Sequence, residues 1–380
     1  MLNVGFPVVD WEGGAVYVTT LIHALRISVP EAGRFIVQEG GEVVPEMLRA
    51  EIDGVIEVRR PGPRTARGLA ARAAHRFFSQ DPTLEAALRE RKIDALFGFV
   101  LSAQPGRVPL LSCIPDFQHV HLPEMFSAEE RHSRDKVFTE SARVSSRIVL
   151  MSNAVRADFE AFAPRYASKA RVLEIAVDFS ASVYAEDSLK TALRYGLPEK
   201  FAYFPAQLWK HKNHEIVIEA VKLIRDSGLK IQVVCTGDTR DYRHRDHFEW
   251  LKAKVHREGL GEQVRFLGFV PREDVVSLLR RSSFLINASF FEGCSMTAEE
   301  GRSMGKRMLL SDIPVHREKK GSDAIFFDPR SPRDLAAKLA SIWESASPGP
   351  HIFAENEARL EIPARLARSA KSFLSILEEL

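Results

Sequence analysis

Short apolar segments alternate with segments of helical periodicity along almost the whole chain. The apolar segments include 95–99, 146–150, 231–236 and 324–327. Such alternation predicts parallel β-sheets in which helices connect successive strands. The chain has 380 residues, which is longer than one hydrophobic core usually serves. The pattern therefore predicts an α/β protein with two doubly wound domains.

The composition is ordinary for a globular protein and argues against a nucleic-acid partner, a disulfide framework and a zinc site. Hydrophobic residues make up 45% and charged residues 27% of the chain, and the formal net charge is +2. A near-neutral chain has a poor electrostatic footprint for nucleic acid, so no such partner is expected. The cysteines Cys113, Cys235 and Cys294 are far apart in sequence, which favours a reducing compartment over a disulfide framework or a zinc site.

The start of the chain lacks the basic region and apolar core of a signal peptide, and no segment approaches the roughly 20 apolar residues of a membrane span. We therefore expect a cytoplasmic protein. The stretch 58–78 holds six arginines and no acidic residue, together with Leu69, Phe77 and Phe78. It predicts either a basic amphipathic helix that contacts the anionic inner face of a membrane, or a solvated arginine-rich surface.

The strongest functional signal lies between Phe290 and Pro314. A strand-like segment, 283–287, is followed by a loop that contains a glycine and then by a predicted helix over 296–304. Free amides and the helix dipole make such a helix start a binding place for anions. Glu292 lies in the loop and Glu300 about one turn inside the helix. Without further context, one of these carboxylates would cap the helix and the other would be solvated.

The spacing of Glu292 and Glu300 resembles that of the retaining nucleotide-sugar glycosyltransferases of family four, which have the GT-B fold. Their usual motif is Glu-Gly-Phe-Gly-Leu-Pro, two further residues, and Glu-Ala. This chain departs from it between the conserved positions. It keeps Gly293 but has Cys294, Ser295, Met296 and Thr297 in the intervening loop.

Two further segments of the second half resemble the same family. Residues 203–214 resemble the variant of its phosphate-binding loop with Pro-Ala-Gln and His-Lys-Asn-His, in which Lys212 matches the lysine that clamps the donor diphosphate. Gln207 stands where the family has an arginine. Asn213 is expected to cap the next helix. Gly268, Phe269 and Val270 match the backbone that lines the base pocket. The segment 171–178 is predicted as a strand and 242–258 as a helix whose His244 and His247 are solvated.

The first half carries weaker matches. Gly13 and Gly14 follow the first predicted strand, where they allow either close approach to a ligand or a plain strand-to-helix turn. The segment 114–127 resembles the Asp-Leu-Gln-His and Pro-Glu-Phe-Phe segment of mannosyltransferase-like members. There His119, with His121 as second choice, matches the histidine that contacts the donor sugar or supports the reacting centre. A structural role for either histidine stays open.

The resemblance implies two Rossmann-like domains that face each other across a cleft. The acceptor domain would span 1–180, the nucleotide-sugar domain 181–355, and a terminal helix, 356–380, would pack on the first domain. The implied reaction is transfer of a hexose from GDP-mannose or a UDP-sugar to a glycan or lipid-linked acceptor, with retention and no cofactor. The chain has no Asp-x-Asp pair, which fits an enzyme that needs no metal.

The resemblance also assigns roles to individual residues. It implies that Glu292, His119 and Lys212 take part in the reaction and that Glu300 binds the ribose hydroxyls. A sugar-nucleotide epimerase or hydrolase of the same fold, and a non-catalytic scaffold, are the alternatives. The implied donor-binding positions are Gly13, Gly14, Gln207, Lys212, Gly268, Phe269, Val270, Glu292, Gly293, Cys294, Ser295, Met296 and Glu300.

Overall fold

The computed structural model describes residues 2–9, 11–39, 42–62, 64–319, 321 and 323–380, without the side chains of Glu12, Met47, His75, Arg76 and Phe78. It divides into two compact units. Unit 1 comprises 1–176 and 363–380, and unit 2 comprises 177–362. Asp10 and Pro63, which belong to the predicted glycine turn and the basic stretch, lie outside the described residues.

Unit 1 is built on a parallel sheet that has seven strands in the described residues, in the order β3-β2-β1-β4-β5-β6-β7. Its central strands are buried almost throughout, as expected for a parallel sheet covered on both faces. The strands are β1 (Asn3–Pro7), β2 (Gly33–Glu39), β3 (Gly54–Val58), β4 (Ala95–Phe99), β5 (Leu110–Ile114), β6 (Arg147–Leu150) and β7 (Ala170–Val172).

Helices connect these strands and cover both faces of the sheet. Ser127 and Ser152 each accept a hydrogen bond from a backbone amide in the first turn of the helix that follows, so both helices begin at a true cap. The helices are α1 (Glu12–Ser28), α2 (Glu46–Arg49), α3 (Ala66–Phe78), α4 (Pro82–Glu90), α5 (Gln118–His121), α6 (Ala128–Val144) and α7 (Asn153–Phe162).

Unit 2 repeats this architecture with a parallel sheet that has six strands in the described residues, in the order β10-β9-β8-β11-β12-β13. The strands are β8 (Ala202–Pro205), β9 (Val233–Thr236), β10 (Val264–Gly268), β11 (Phe284–Asn287), β12 (Met308–Ser311) and β13 (Ala324–Phe327). The helices are α8 (Ala181–Ala185), α9 (Ser188–Arg194), α10 (His214–Asp226), α11 (His247–Arg257), α12 (Arg272–Arg281), α13 (Met296–Ser303), α14 (Pro314–Lys319) and α15 (Pro332–Ser345).

The last helix, α16 (Ile352–Glu378), begins among the residues of unit 2 and ends among those of unit 1. In its first part, Glu355 forms a buried ion pair with Arg280 of α12. In its last part, Phe373 is fully buried between Phe6 of β1 and Phe97 of β4. Within the described residues, no helix has both the length and the apolar content needed to cross a bilayer.

Some local predictions differ from the structure. The segment 171–178 pairs as a strand only to Val172, and the rest is irregular. The helix predicted over 242–258 begins only at His247. Asn213 precedes α10 but does not cap it, because its side chain donates to the carbonyls of Ala288 and Pro329 instead. For Asn213, partners distant in sequence therefore replace the local helix cap.

We expect Phe373→Ala to lower the free energy of unfolding of unit 1 by about 3–5 kcal/mol, because it removes a buried ring and leaves a cavity between β1 and β4. Chemical denaturation followed by circular dichroism measures it. Lys371→Ala, at an exposed position of the same helix, is the control and should change the value by less than about 0.5 kcal/mol. Equal effects of both substitutions would contradict the assigned packing.

Candidate active site

The strand order of unit 2 places a topological switch point between β8 and β11. From β8 the chain continues to β9 on one side, whereas from β11 it continues to β12 on the other, although β8 and β11 are neighbours. In open α/β sheets, ligands bind beyond the carboxyl ends of the strands at such a switch point. The loops 206–213 and 288–295 follow these two strands, and they contain six of the fourteen predicted site residues.

Hydrogen bonds fix the two loops against each other. The Phe290 amide donates to the His211 carbonyl at 2.9 Å, and the Thr297 hydroxyl donates to the Pro205 carbonyl at 3.2 Å. Asn213 adopts the left-handed conformation, with φ of 60°, and its amide group donates to Ala288 at 3.1 Å. These contacts hold Lys212 beside the loop that carries Glu292.

Lys212 and Glu292 form a largely buried ion pair. Lys212 Nζ donates to Glu292 Oε1 at 2.7 Å, and the two side chains are only 17% and 11% exposed. Ser289 Oγ donates to the same carboxylate oxygen at 2.6 Å, and Asn287 Nδ2 lies 3.4 Å from it. Burial alone would raise the pKa of Glu292, but the charge and hydrogen bond of Lys212, together with the hydrogen bond from Ser289, hold this pKa below its ordinary value. The carboxylate is therefore ionised at neutral pH.

Helix α13 begins directly after this loop. Ser295 has a φ of 55° and its side chain does not cap the helix. Cys294 is buried, and its Sγ lies 3.8 Å from Sδ of the half-buried Met296. Together with Gly293 these residues form the turn that leads from Glu292 into the first turn of α13. A cation and a helix amino-terminus at one place can stabilise the negative charge of a leaving phosphate.

Glu300 lies one turn further along α13 and is 5% exposed. Its Oε1 accepts a hydrogen bond from Nη2 of Arg272, the first residue of α12. Arg272 follows the predicted base loop, in which Gly268 has a φ of 71°, Phe269 is 68% exposed and Val270 is buried. The predicted base loop and the predicted ribose-binding carboxylate are therefore joined by an ion pair. Arg272 was not among the predicted site residues, although its position two residues after the base loop was a usable signal.

Gln207 lies in the same loop as Lys212 and is half-buried. The backbone of this loop packs closely against Gly237. A Cβ atom at position 237 would lie 2.2 Å from the Ala206 carbonyl oxygen and 2.7 Å from Gln207 Cα, so the contact depends on glycine. Gln207 is neutral, whereas the resembled family has a positively charged arginine at this position. The close backbone contact at Gly237 does not involve the side chain of residue 207.

A shell of histidine and aromatic side chains supports the Lys212 loop. Burial holds the pKa of His211 well below its ordinary value, with Lys212 and Arg243 adding to the effect. Arg243 Nη2 lies 3.3 Å from His211 Nδ1. His244 and His247, which were predicted to be solvated, instead have buried Nε2 atoms, and burial lowers the pKa of both. That prediction was wrong: His244 lies in the irregular segment before α11, His247 is the first residue of α11, and the Nε2 atoms of both are buried.

In unit 1, His119 is 2% exposed. Its Nε2 lies 3.1 Å from Asp135 Oδ1, and its Nδ1 is buried with no hydrogen-bond partner among the described residues. Burial lowers the pKa of His119 despite the neighbouring carboxylate. The second choice, His121, is 45% exposed and lies 2.8 Å from Asp158. The rings that surround His119, with centroids between 5.3 and 6.3 Å away, belong to Phe117, Phe126, Phe138 and Phe162.

Gly13 and Gly14 lie in the first turn of α1, under the indole ring of Trp11. A Cβ atom on Gly14 would lie 2.4 Å from the Trp11 ring, and one on Gly13 would lie 2.9 Å from it. Trp11 also packs edge-on against Phe99 at 5.1 Å. A side chain at either position would therefore have to displace the Trp11 ring.

Comparison with known proteins connects unit 2 with one family. Residues 188–359 match the sequence profile of the family described as Glycosyl transferases group 1. Mannosylfructose-phosphate synthase of Agrobacterium fabrum is 24% identical over 153 residues, which is 38% of this chain. An uncharacterized glycosyltransferase of Methanocaldococcus jannaschii is 26% identical over 141 residues, or 36% of this chain. The chain spans about a third of the length of these curated relatives.

Among solved structures, HepE of Anabaena in complex with UDP and glucose is similar over the whole length. The TM-score is 0.73 with 18% sequence identity, and the match covers 100% of both chains. At this identity the likeness establishes the fold alone. The predicted GT-B fold, with two doubly wound parallel units, is confirmed.

We expect Lys212→Met to destabilise unit 2 by about 3 kcal/mol, because it leaves the Glu292 carboxylate buried without its cation. The double variant Lys212→Met/Glu292→Gln should recover most of that loss, since it also removes the charge. Chemical denaturation of the wild type, both single variants and the double variant measures the coupling. A double variant as unstable as the sum of the single variants would rule out a direct interaction.

Proposed function

We propose that this protein is a retaining hexosyltransferase that moves a hexose from a nucleoside diphosphate sugar to a glycan or lipid-linked acceptor. The proposal places it in glycosyltransferase family four, in the mannosyltransferase-like group, with a role in polysaccharide synthesis. Its central support is the Lys212–Glu292 ion pair before α13, inside the segment that matches the glycosyltransferase profile. HepE was solved with UDP and glucose, which favours a UDP-sugar, whereas the Pro-Ala-Gln and His-Lys-Asn-His variant favours GDP-mannose.

In this proposal the donor diphosphate binds at the start of α13. Lys212 supplies the positive charge, and the amides near Ser295 and Met296, in the turn formed with Gly293 and Cys294, supply hydrogen bonds and the helix dipole. Gln207 provides a neutral contact where the family has an arginine. Glu292 holds Lys212 in place and lies near the sugar or the phosphate.

The nucleoside binds beside α12. Glu300 accepts hydrogen bonds from the ribose hydroxyls, and the backbone of Gly268, Phe269 and Val270 lines the base pocket. In unit 1, we assign Gly13 and Gly14 to the donor-proximal turn and His119 to support of the reacting centre rather than to a proton transfer. The burial of His119 favours that assignment, because its ring nitrogens are not exposed to solvent.

The proposed reaction breaks the bond between the anomeric carbon and the diphosphate oxygen. The acceptor hydroxyl oxygen forms the new bond on the same face of the sugar, and its proton passes to the departing diphosphate oxygen. The charge that develops on the diphosphate is stabilised by Lys212 and the helix amides, so no metal is required. Two results would count against this account. One is an inverted anomeric configuration in the product by NMR, and the other is loss of transfer in the presence of EDTA.

We expect Glu300→Ala to reduce kcat/KM for the donor by several hundred-fold, on the order of 3–4 kcal/mol, because ribose hydrogen bonds to a buried carboxylate are lost. Steady-state transfer or donor hydrolysis measures it. Glu273→Ala removes an exposed carboxylate at the start of α12 and should leave the rate unchanged. Similar kinetics of the Glu300 variant and the wild type would contradict the assignment.

The same preparations separate the alternatives. Thermal shift with UDP, GDP and ADP shows whether the wild type binds any of these nucleotides. Stabilisation by none of them favours a non-catalytic scaffold, which the neutral Gln207 would suit. An altered or hydrolysed sugar nucleotide, formed from donor without acceptor, would identify an epimerase or a hydrolase.

A lipid-linked acceptor would require contact with a membrane surface, and α3 has the required properties. Its sequence contains no acidic residue, Arg67 and Arg72 are exposed, and Leu69 and Phe77 are 57% and 72% exposed. Arg60, just before this helix, is by contrast paired with carboxylates of unit 1. Exposed cations and apolar side chains on one helix suit the anionic inner face of a membrane.

We expect the protein to float with phosphatidylglycerol vesicles and not with phosphatidylcholine vesicles. Arg67→Glu/Arg72→Glu should weaken that binding about thirtyfold or more, because each arginine near an anionic surface contributes about 1 kcal/mol. Arg89→Glu/Arg91→Glu makes the same charge change at exposed positions elsewhere in unit 1 and is the control. Equal flotation of both double variants would remove α3 as the contact.

A further inference from the structure

His316 lies in a buried hydrogen-bond network that includes the residue directly before α13. It is the third residue of α14 and is 0% exposed. Its Nδ1 lies 2.8 Å from the Ser311 carbonyl oxygen, and its Nε2 lies 3.0 Å from Ser295 Oγ. Neither the function assigned above nor the resemblance to the family gives this histidine a role.

The hydrogen-bond partners determine where the protons are. A carbonyl oxygen can only accept, so His316 Nδ1 carries the proton and donates to Ser311. Nε2 is then an acceptor, and the hydroxyl of Ser295 donates to it. Asn287 Nδ2, at 3.2 Å, donates to the same hydroxyl oxygen. Burial and Lys212 lower the pKa of His316 while Glu292 raises it, and the net shift is downward, which keeps the ring neutral at neutral pH.

This network turns the side chain of Ser295 away from the helix that it precedes. A serine before a helix usually accepts from a first-turn amide, as Ser127, Ser152 and Ser331 do in this chain. Ser295 forms no such bond and has a φ of 55°, which is uncommon for a residue with a side chain. The bonds to His316 and Asn287 account for both features.

We propose that His316 is a positioning residue for the donor diphosphate. By accepting a hydrogen bond from the Ser295 hydroxyl, it holds the backbone before α13 in the conformation in which the helix amides are left for the phosphate oxygens. The inference rests on the proposed function and adds to it a residue 21 positions away from Ser295, on a different helix. Its role is indirect, since it acts on the ligand through Ser295.

The test uses two substitutions that each keep one half of the imidazole. In His316→Gln the amide oxygen takes the approximate place of Nε2 and can still accept from Ser295. In His316→Asn the amide nitrogen takes the approximate place of Nδ1 and can still donate to Ser311, but the link to Ser295 is lost. Ser295→Gly removes the hydroxyl while allowing the same φ without strain.

The measured quantity is the ratio of the affinity for a nucleoside diphosphate to the affinity for the corresponding nucleoside. It is determined by calorimetry or competition for two ligand pairs, UDP with uridine and GDP with guanosine. We expect the ratio to fall about tenfold in His316→Asn and Ser295→Gly, because one oriented amide contact with the diphosphate is worth about that factor. The ratio should stay within about threefold of wild type in His316→Gln, and nucleoside affinity should stay unchanged in all three.

Several results would overturn the inference. They are an unchanged ratio in either His316→Asn or Ser295→Gly, an equal loss in His316→Gln and His316→Asn, and loss of the folded protein in both His316→Asn and Ser295→Gly, which would make the network purely structural. These outcomes are distinct from failure of the proposed function, in which the wild type itself binds neither UDP nor GDP.

Discussion

The ion pair between Lys212 and Glu292 is the interaction on which the candidate site depends. Neither charge could be buried alone, because removing an ion from water costs several kcal/mol even after the protein relaxes. The Glu292 carboxylate offsets this cost with donors from two loops, namely Lys212 after β8 and Ser289 after β11. The strand order makes those loops neighbours at the point where the connections diverge. The site therefore follows from the topology of unit 2 as much as from its charged residues.

Each of the two glutamates predicted from the sequence is paired with a cation from a neighbouring element, Glu292 with Lys212 of the loop after β8 and Glu300 with Arg272 of α12. A nucleoside diphosphate that binds here would compete with Glu292 for Lys212, and its ribose would compete with Arg272 for Glu300. Binding would then exchange one partner for another, rather than bury a new charge. That exchange limits the desolvation cost of taking up a doubly charged ligand.

Local and periodic signals were sufficient to predict the parallel sheets and the helix after Glu292, whereas the grouping of Lys212 with the two glutamates was implied by the resemblance to the glycosyltransferases. Contacts between residues distant in sequence were not predictable in this way. Asn213 is a residue type that commonly caps helices, but its side chain donates to the carbonyl of Ala288. Ser295 is also a common capping type, but its hydroxyl donates to the His316 ring. In both cases the side chain has a choice of partner, and the partner that wins is supplied by another strand or helix.

Because the residue at position 207 is neutral, the contacts of Lys212 and Ser295 matter more for the proposed site. The resembled family has an arginine at this position, whereas Gln207 is neutral, and the close backbone approach of Gly237 to this loop involves no side chain of residue 207. In the proposed donor complex, where no arginine is present at position 207, more of the stabilisation of the diphosphate would come from Lys212 and from the amides of α13. An amide contributes only when it points at the ligand. The orientation of Ser295, and with it the buried His316, therefore matters more in this chain than it would beside an arginine.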